Sequence, residues 1–286
     1  MHKGKKNDST AISALDAGAE PVRPAPAIRW RLAVPNTITS LNLLCGCMAV
    51  VLALRGWSDY AVYLIAAAAV FDFCDGLSAR LLHAYSELGK QLDSLADAIS
   101  FGLAPAALLH YKLRFLLSDS ISGSLHTIGW ELLTFAPFVI TIFSALRLAK
   151  FNIDKRQHAV FLGLPTPANA LLIASLLSLS ANGSRLTVWM DSWYGVLLLC
   201  ASLSALLVCG LPMFSLKFTN LRWRDNAPRF VWAGMAVVIV AVSALLQQGF
   251  MFAVAAIIVS YILLSGLLYA IRATSPVDPS NIIPSK

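Results

Sequence analysis

The stretch YLIAAAAVFDFCDGLSAR, residues 63–80, decides how this chain is to be read. Its first half is an apolar run suited to lipid, yet its second half sets Asp72 three residues before Asp75, with Arg80 close behind. Nine residues further on, GKQLDSLAD (89–97) brings Asp93 and Asp97 to the start of another apolar segment. A charged side chain at mid-bilayer costs about 3 kcal/mol on insertion scales. Four aspartates near two span ends therefore need partners, and cations are the obvious ones.

The rest of the chain supports the lipid setting. Of its 286 residues 58% are hydrophobic and only 13% charged, and the mean hydropathy is +0.70, well outside the balance of a soluble domain. The expected fold class is an all-α integral membrane protein. A span needs about 20 apolar residues to cross roughly 30 Å of hydrocarbon. Such segments are read at about 37–55, 59–82, 93–113, 128–149, 166–182, 188–210, 230–247 and 250–271, about eight spans. The fifth is the weakest, because Pro165 and Pro167 crowd its start and Asn182-Gly183 closes it early. One polytopic domain over 31–271 is expected, with a core at about 35–210 and two further spans at 230–271. A flexible tail over 1–30 precedes it and a short tail over 272–286 follows. No apolar run before a small-residue cleavage site stands in the first tail, so no removable signal peptide is expected. APAIRWRLAVPN (25–36), with Arg29, Trp30 and Arg31, reads as an interfacial approach to the first span.

Of the 22 Lys and Arg residues, 18 fall on the face that holds both termini and only Arg55, Lys112, Arg114 and Arg185 on the other. The positive-inside rule then predicts cytoplasmic termini in an inner, cytoplasmic membrane, with the Asp72–Asp97 segment straddling a cytoplasmic turn. The net charge of +7 is spread beside span ends rather than gathered in one run, which favours anionic lipid headgroups over nucleic acid. The five cysteines lie within spans with no CxxC pair, as small buried residues do. His83 and His110 have no evident partner in the sequence and carry no chemistry.

Helical spacing lets the four aspartates share a site. Asp72, Asp75, Gly76, Ala79 and Arg80 follow i, i+3, i+4, i+7, i+8, and Gly89, Asp93 and Asp97 step by four, so each set occupies one helix face. Two helices joined by a short turn then aim four carboxylates into one cleft. Oxygen ligands in that number suit Mg²⁺ or Mn²⁺, and a pair of such ions can hold a phosphate-bearing substrate. Gly76, Ala79 and Gly89 leave room for a ligand, and Arg80 can meet phosphate oxygens. A transporter's ion pathway is the competing reading, although the carboxylates gather at one turn with none in the other leaflet to complete a route.

The full pattern D-x2-D-G-x2-A-R-x8-G-x3-D-x3-D is complete from Asp72 to Asp97, and it resembles the signature of the CDP-alcohol phosphatidyltransferases. That resemblance implies a six-helix core, here with two extra C-terminal spans, and two divalent ions. It also implies transfer of a phosphatidyl group from a CDP-linked lipid to an alcohol with release of CMP. Asp72, Asp75 and Asp93 then look like the main metal ligands, with Asp97 near the second metal and placed as the base for the acceptor hydroxyl. Gly76, Ala79, Arg80 and Gly89 resemble the residues that cradle the CDP-lipid. The stretch VPNTITSLNLLCG (34–46), with Asn36, Thr39 and Asn42, resembles the family's first-helix motif, although Asn36 or Thr37 could equally be an N-cap of an ordinary span.

ELGKQLDSLADAISFGLAPA, LRLAKFN and GLPTPA together look like the phosphatidylserine synthase branch of that family. The implied substrates are CDP-diacylglycerol and L-serine, with glycerol 3-phosphate or inositol phosphate as the alternative acceptors. A carboxylate-bearing acceptor would need cations near the metals. Arg147 and Lys150 are at a suitable depth, and they are equally well placed to be positive-inside anchors. Gly102 and Pro105 should bend the third span. Membrane lipids are the other expected partners, with a second copy of the chain as a candidate.

Overall fold

A computed structural model describes residues 26–120, 128–153, 161–213 and 223–274. Residues 1–25 and 275–286 of the two expected tails (1–30 and 272–286), and the basic residues Lys155, Arg156, Lys217 and Arg222, lie outside the described residues. The described chain is almost wholly helical. The helices are α1 (Pro26–Leu54), α2 (Ser58–Leu81), α3 (Glu87–Asp97), α4 (Ala104–Ser120), α5 (Ile128–Leu133), α6 (Val139–Ile153), α7 (Thr166–Ala181), α8 (Trp193–Val208), α9 (Trp223–Leu245) and α10 (Phe250–Thr274).

Among the described residues six stretches are long and apolar enough to cross a membrane, Trp30–Leu54, Ser58–Leu81, Glu87–Ser118, Ile128–Ile153, Asn226–Leu245 and Phe250–Ile271, or seven if the bent pair Thr166–Ala181 with Arg185–Asp191 forms one span. This is an all-α integral membrane protein. The fifth and sixth segments read from the sequence take a different form. α7 stops at Asn182, Gly183 turns with a φ of +69°, and the 3₁₀ helix Arg185–Asp191 leaves at 97° to α7. α8 then begins only at Trp193 and is 16 residues long, because Ser192 caps it by accepting from the Gly195 amide.

Two further boundaries move. Residues 26–30, read as tail, are helical and continuous with α1, which runs through Pro35 without stopping. Neither Asn36 nor Thr37 is therefore an N-cap, and the Thr37 hydroxyl donates to Ala33 O one turn back. The bend expected at Gly102 and Pro105 takes the form of a π-helical stretch, Ala98–Leu103, in which the Ala104 amide reaches back to Ile99 O. Pro105 has no amide proton to give, so the turn before it is free to widen.

α1 and α2 form the most extensive helix pair, and α1 also lies along α3, the π-helical stretch and α4. Its approach to the π-helical stretch is set by Gly46, where a Cβ would fall 2.2 Å from Ser100 Oγ and 2.8 Å from Ser100 Cα. Behind this contact a single apolar core joins Ala49, Ile65, Phe101, Leu108, Ile140, Ile173 and Leu203 from seven helical segments. α10 packs on α7, burying Met251, Ala255, Ile258 and Tyr261. A two-residue antiparallel pairing of Phe161–Leu162 with Pro212–Met213, extended by Gly163 N to Leu211 O and Leu164 N to Leu206 O, ties the lead-in of α7 to the end of α8.

Candidate active site

The turn between α2 and α3 is built by local chemistry. His83 ends α2 in the left-handed region at φ 50°, which histidine enters more readily than most residues. The Ala84 amide closes on Ala79 O and the His83 amide on Arg80 O. Ser86 then opens α3, its hydroxyl accepting from the Gly89 amide at 2.9 Å, with Glu87 in the first turn where the helix dipole favours an acid. Glu87 to Asp97 is strongly amphipathic, so its polar face turns inward toward α1 and α2.

The result brings Asp72 and Asp75 of α2 against Asp93 of α3, with one ligand oxygen from each lying within 4.8 Å of the others. Asp75 Oδ2 accepts from the Thr39 hydroxyl at 2.6 Å, so α1 contributes to the cluster. That hydroxyl also stands 3.0 Å from Pro35 O, and its single proton serves one acceptor at a time. Asp93 Oδ1 is buried and receives no hydrogen bond. Neither Arg80 nor Lys90 comes within ion-pair distance of these carboxylates among the described residues. Three converging carboxylates, one with an orphaned buried oxygen and none neutralised by a basic side chain, fit a hard divalent cation.

Asp97 stands one turn beyond Asp93, buried and outside that trio. The amide of the fully buried Asn42 points at its Oδ1 from 3.5 Å, the long end of a hydrogen bond. Ser100 fastens the same level by donating to Asn42 O at 3.0 Å. Beside the carboxylates opens a cleft of about 240 Å³, lined by Pro35, Asn36, Thr39, Asp75, Gly76, Ala79, Arg80, Gly89 and Asp93 together with Ala84, Tyr85, Ser86 and Lys90 of the turn. Six of the seven residues expected from the sequence to hold a CDP-lipid therefore line one cavity, and Asn42 sits deeper, next to Asp97.

The two glycines of the motif differ in their reason for being glycine. A Cβ at Gly76 would meet nothing within 4 Å, leaving that wall open. At Gly89 it would fall 2.9 Å from Asn36 Oδ1, so this glycine lets α3 approach α1. Tyr85, Ser86 and Lys90 were not singled out as cleft residues from the sequence. They reach the rim only because His83 turns the chain, and no spacing rule signals that.

The acceptor candidates separate. Arg147 Nη1 donates to Thr166 Oγ1 at 3.0 Å while its Nε has no partner, and the guanidinium lies within electrostatic reach of Asp97 and of Tyr261 on α10. Lys150 is exposed at the end of α6. Asn152 on the same helix holds α3 by donating to Ser94 Oγ at 2.8 Å. His110 is a core residue, its Nδ1 2.6 Å from Thr134 O and its ring stacked on Phe135.

Residues 32–208 match the family model described as CDP-alcohol phosphatidyltransferase. The chain belongs to that family. Among similar members, one from Mycobacterium bovis named CDP-diacylglycerol–serine O-phosphatidyltransferase is 33% identical over 222 residues, covering 74% of this chain and 69% of its own. One of the same name from Bacillus subtilis is 33% identical over 155 residues, 54% of this chain and 80% of its own. A third, from Methanocaldococcus jannaschii, is 33% identical over 153 residues, 54% and 64% of the two chains. CDP-alcohol phosphatidyltransferases are generally divalent-metal dependent, which agrees with the aspartate cluster. The family match ends at residue 208 and leaves α9 and α10 outside it.

Proposed function

We propose that this protein transfers the phosphatidyl group of CDP-diacylglycerol to the hydroxyl of L-serine, giving phosphatidylserine and CMP. The observation that carries this is the convergence of Asp72, Asp75 and Asp93 beside a cleft rimmed by Arg80 and Lys90. Such a cleft suits a nucleoside diphosphate whose lipid tails remain in the bilayer. The relatives named for the serine reaction supply the acceptor.

Asp72, Asp75 and Asp93, with Asp97 beside them, hold two Mg²⁺ or Mn²⁺ ions in this reading. Bound there, these ions supply Lewis-acid stabilisation of the charge that gathers on the leaving phosphate. Asn36, Thr39, Gly76, Ala79, Arg80 and Gly89 cradle the CDP group, and Arg80 and Lys90 offset its negative charge. Thr39 holds Asp75 in one orientation through its short hydrogen bond, and Asn42 does the same for Asp97. Asp97 takes the proton of the serine hydroxyl as its oxygen bonds to phosphorus, and the bond from phosphorus to the CMP oxygen breaks. Arg147 meets the serine carboxylate, and Lys150 draws the anion toward the site.

The Lys and Arg asymmetry supports a cleft open to the cytoplasm, with both termini on that side of the inner membrane. The catalytic unit spans 31–271, with a core over 35–210, and a second copy of the chain is a candidate partner. The test uses purified protein in lipid micelles with CDP-diacylglycerol and Mn²⁺ or Mg²⁺, presenting serine, glycerol 3-phosphate or inositol phosphate in turn. CMP release with serine is expected. Release only with a phosphorylated alcohol, or with none of the three, overturns the proposal.

A further inference from the structure

Buried polar atoms normally find partners, and each one that does not calls for an explanation. Asn169 is the strongest such case here: it is fully buried, and neither its Oδ1 nor its Nδ2 has a hydrogen-bond partner. Its position is specific. It lies on α7 one turn deeper than Thr166, the residue that accepts from Arg147, and both side chains fall on the same buried face. On α6, Ser144 Oγ is likewise fully buried without a partner, one turn before Arg147, whose Nε is also unused. Three residues within one helical turn of the Arg147–Thr166 contact thus hold four unused polar atoms on the Asp97 side of the bundle.

A set of this composition matches a small zwitterion. An amide offers both a donor and an acceptor, the guanidinium offers a charge-assisted donor, and the hydroxyl offers either. An ordinary packing role does not account for Asn169, since an apolar residue of the same size would fill the space without leaving an amide unsatisfied.

We infer that Asn169 is a binding residue for the acceptor amino acid, its Nδ2 donating to the carboxylate held by Arg147 and its Oδ1 accepting from the ammonium. This rests on the serine reading above and adds the residue that distinguishes an amino-acid acceptor from a simple alcohol.

The experiment compares the parent protein with Asn169→Leu, which keeps the branched shape and the number of side-chain heavy atoms and removes the amide, and with Asn169→Ala as a smaller change. KM is measured separately for serine and for CDP-diacylglycerol, alongside the melting temperature. Loss of hydrogen bonds to charged groups should raise the serine KM roughly tenfold to a hundredfold. The KM for CDP-diacylglycerol should stay within about twofold and the Leu variant should melt no lower than the parent. A serine KM unchanged in both variants overturns the inference, as does a parallel rise in both KM values with a fall in melting temperature. If instead the parent releases no CMP with serine, the serine reading itself has failed before any variant is compared.

Discussion

At the scale of the residue, the aspartate trio is a cluster of like charges held together by the fold and relieved when a cation is bound. Asp93 is the informative member, because its Oδ1 is buried with no hydrogen bond. Asp93→Asn should reduce transfer by roughly a hundredfold or more, since it removes a charged oxygen ligand. The same change should leave the melting temperature in EDTA equal to or above that of the parent, because it relieves repulsion among unneutralised carboxylates. Activity and thermal melting measured on one preparation check both halves, and retained activity would mean the cation site lies elsewhere.

At the scale of the element, the level of Asn42 and Asp97 is set where α1 crosses the π-helical stretch Ala98–Leu103. Gly46 makes that crossing close, and Ser100 fastens it to Asn42 O, which keeps Asn42 and Asp97 side by side. A side chain at position 46 meets backbone as well as a hydroxyl, so the helices must separate. Gly46→Val should destabilise the protein by about 1–3 kcal/mol, the usual range for overpacking. It should also cut transfer more than it affects CDP-diacylglycerol binding, because the displaced residues sit below the cleft proposed for the nucleotide. Parent-like kcat in the folded variant would show that this crossing does not position Asp97.

At the scale of the whole molecule, the last helix packs on the core. α10 covers α7, the helix that carries Thr166 and Asn169, and its Tyr261 lies within electrostatic reach of Arg147. Ending the chain after Met213 should therefore lower the melting temperature and raise the KM for serine. Tyr261→Phe should raise that KM by a smaller factor without a large loss of stability. Kinetics with both substrates and thermal melting distinguish this from a purely structural role, in which both KM values would move together.

The membrane class and the aspartate motif were legible in the sequence, and for clear reasons. Acid is costly in lipid, so Asp72, Asp75, Asp93 and Asp97 stand out, and the helical period alone places them on two faces that can meet. Asn169, Ser144 and Tyr261 carry no such mark. In an apolar run a lone Asn, Ser or Tyr is ordinary, and its meaning depends on the register of α6, α7 and α10 against one another. Tyr85 and Lys90 were hidden in the same way, by a turn whose path depends on a left-handed histidine. The sequence by itself determined that this is a polytopic helical membrane protein with an acidic motif of the family, because hydropathy and helical spacing are local properties of the chain. Only the tertiary structure decided which carboxylates touch, where the cleft opens and which buried polar atoms are left unpaired, because those depend on distances between helices that no spacing along one helix can fix.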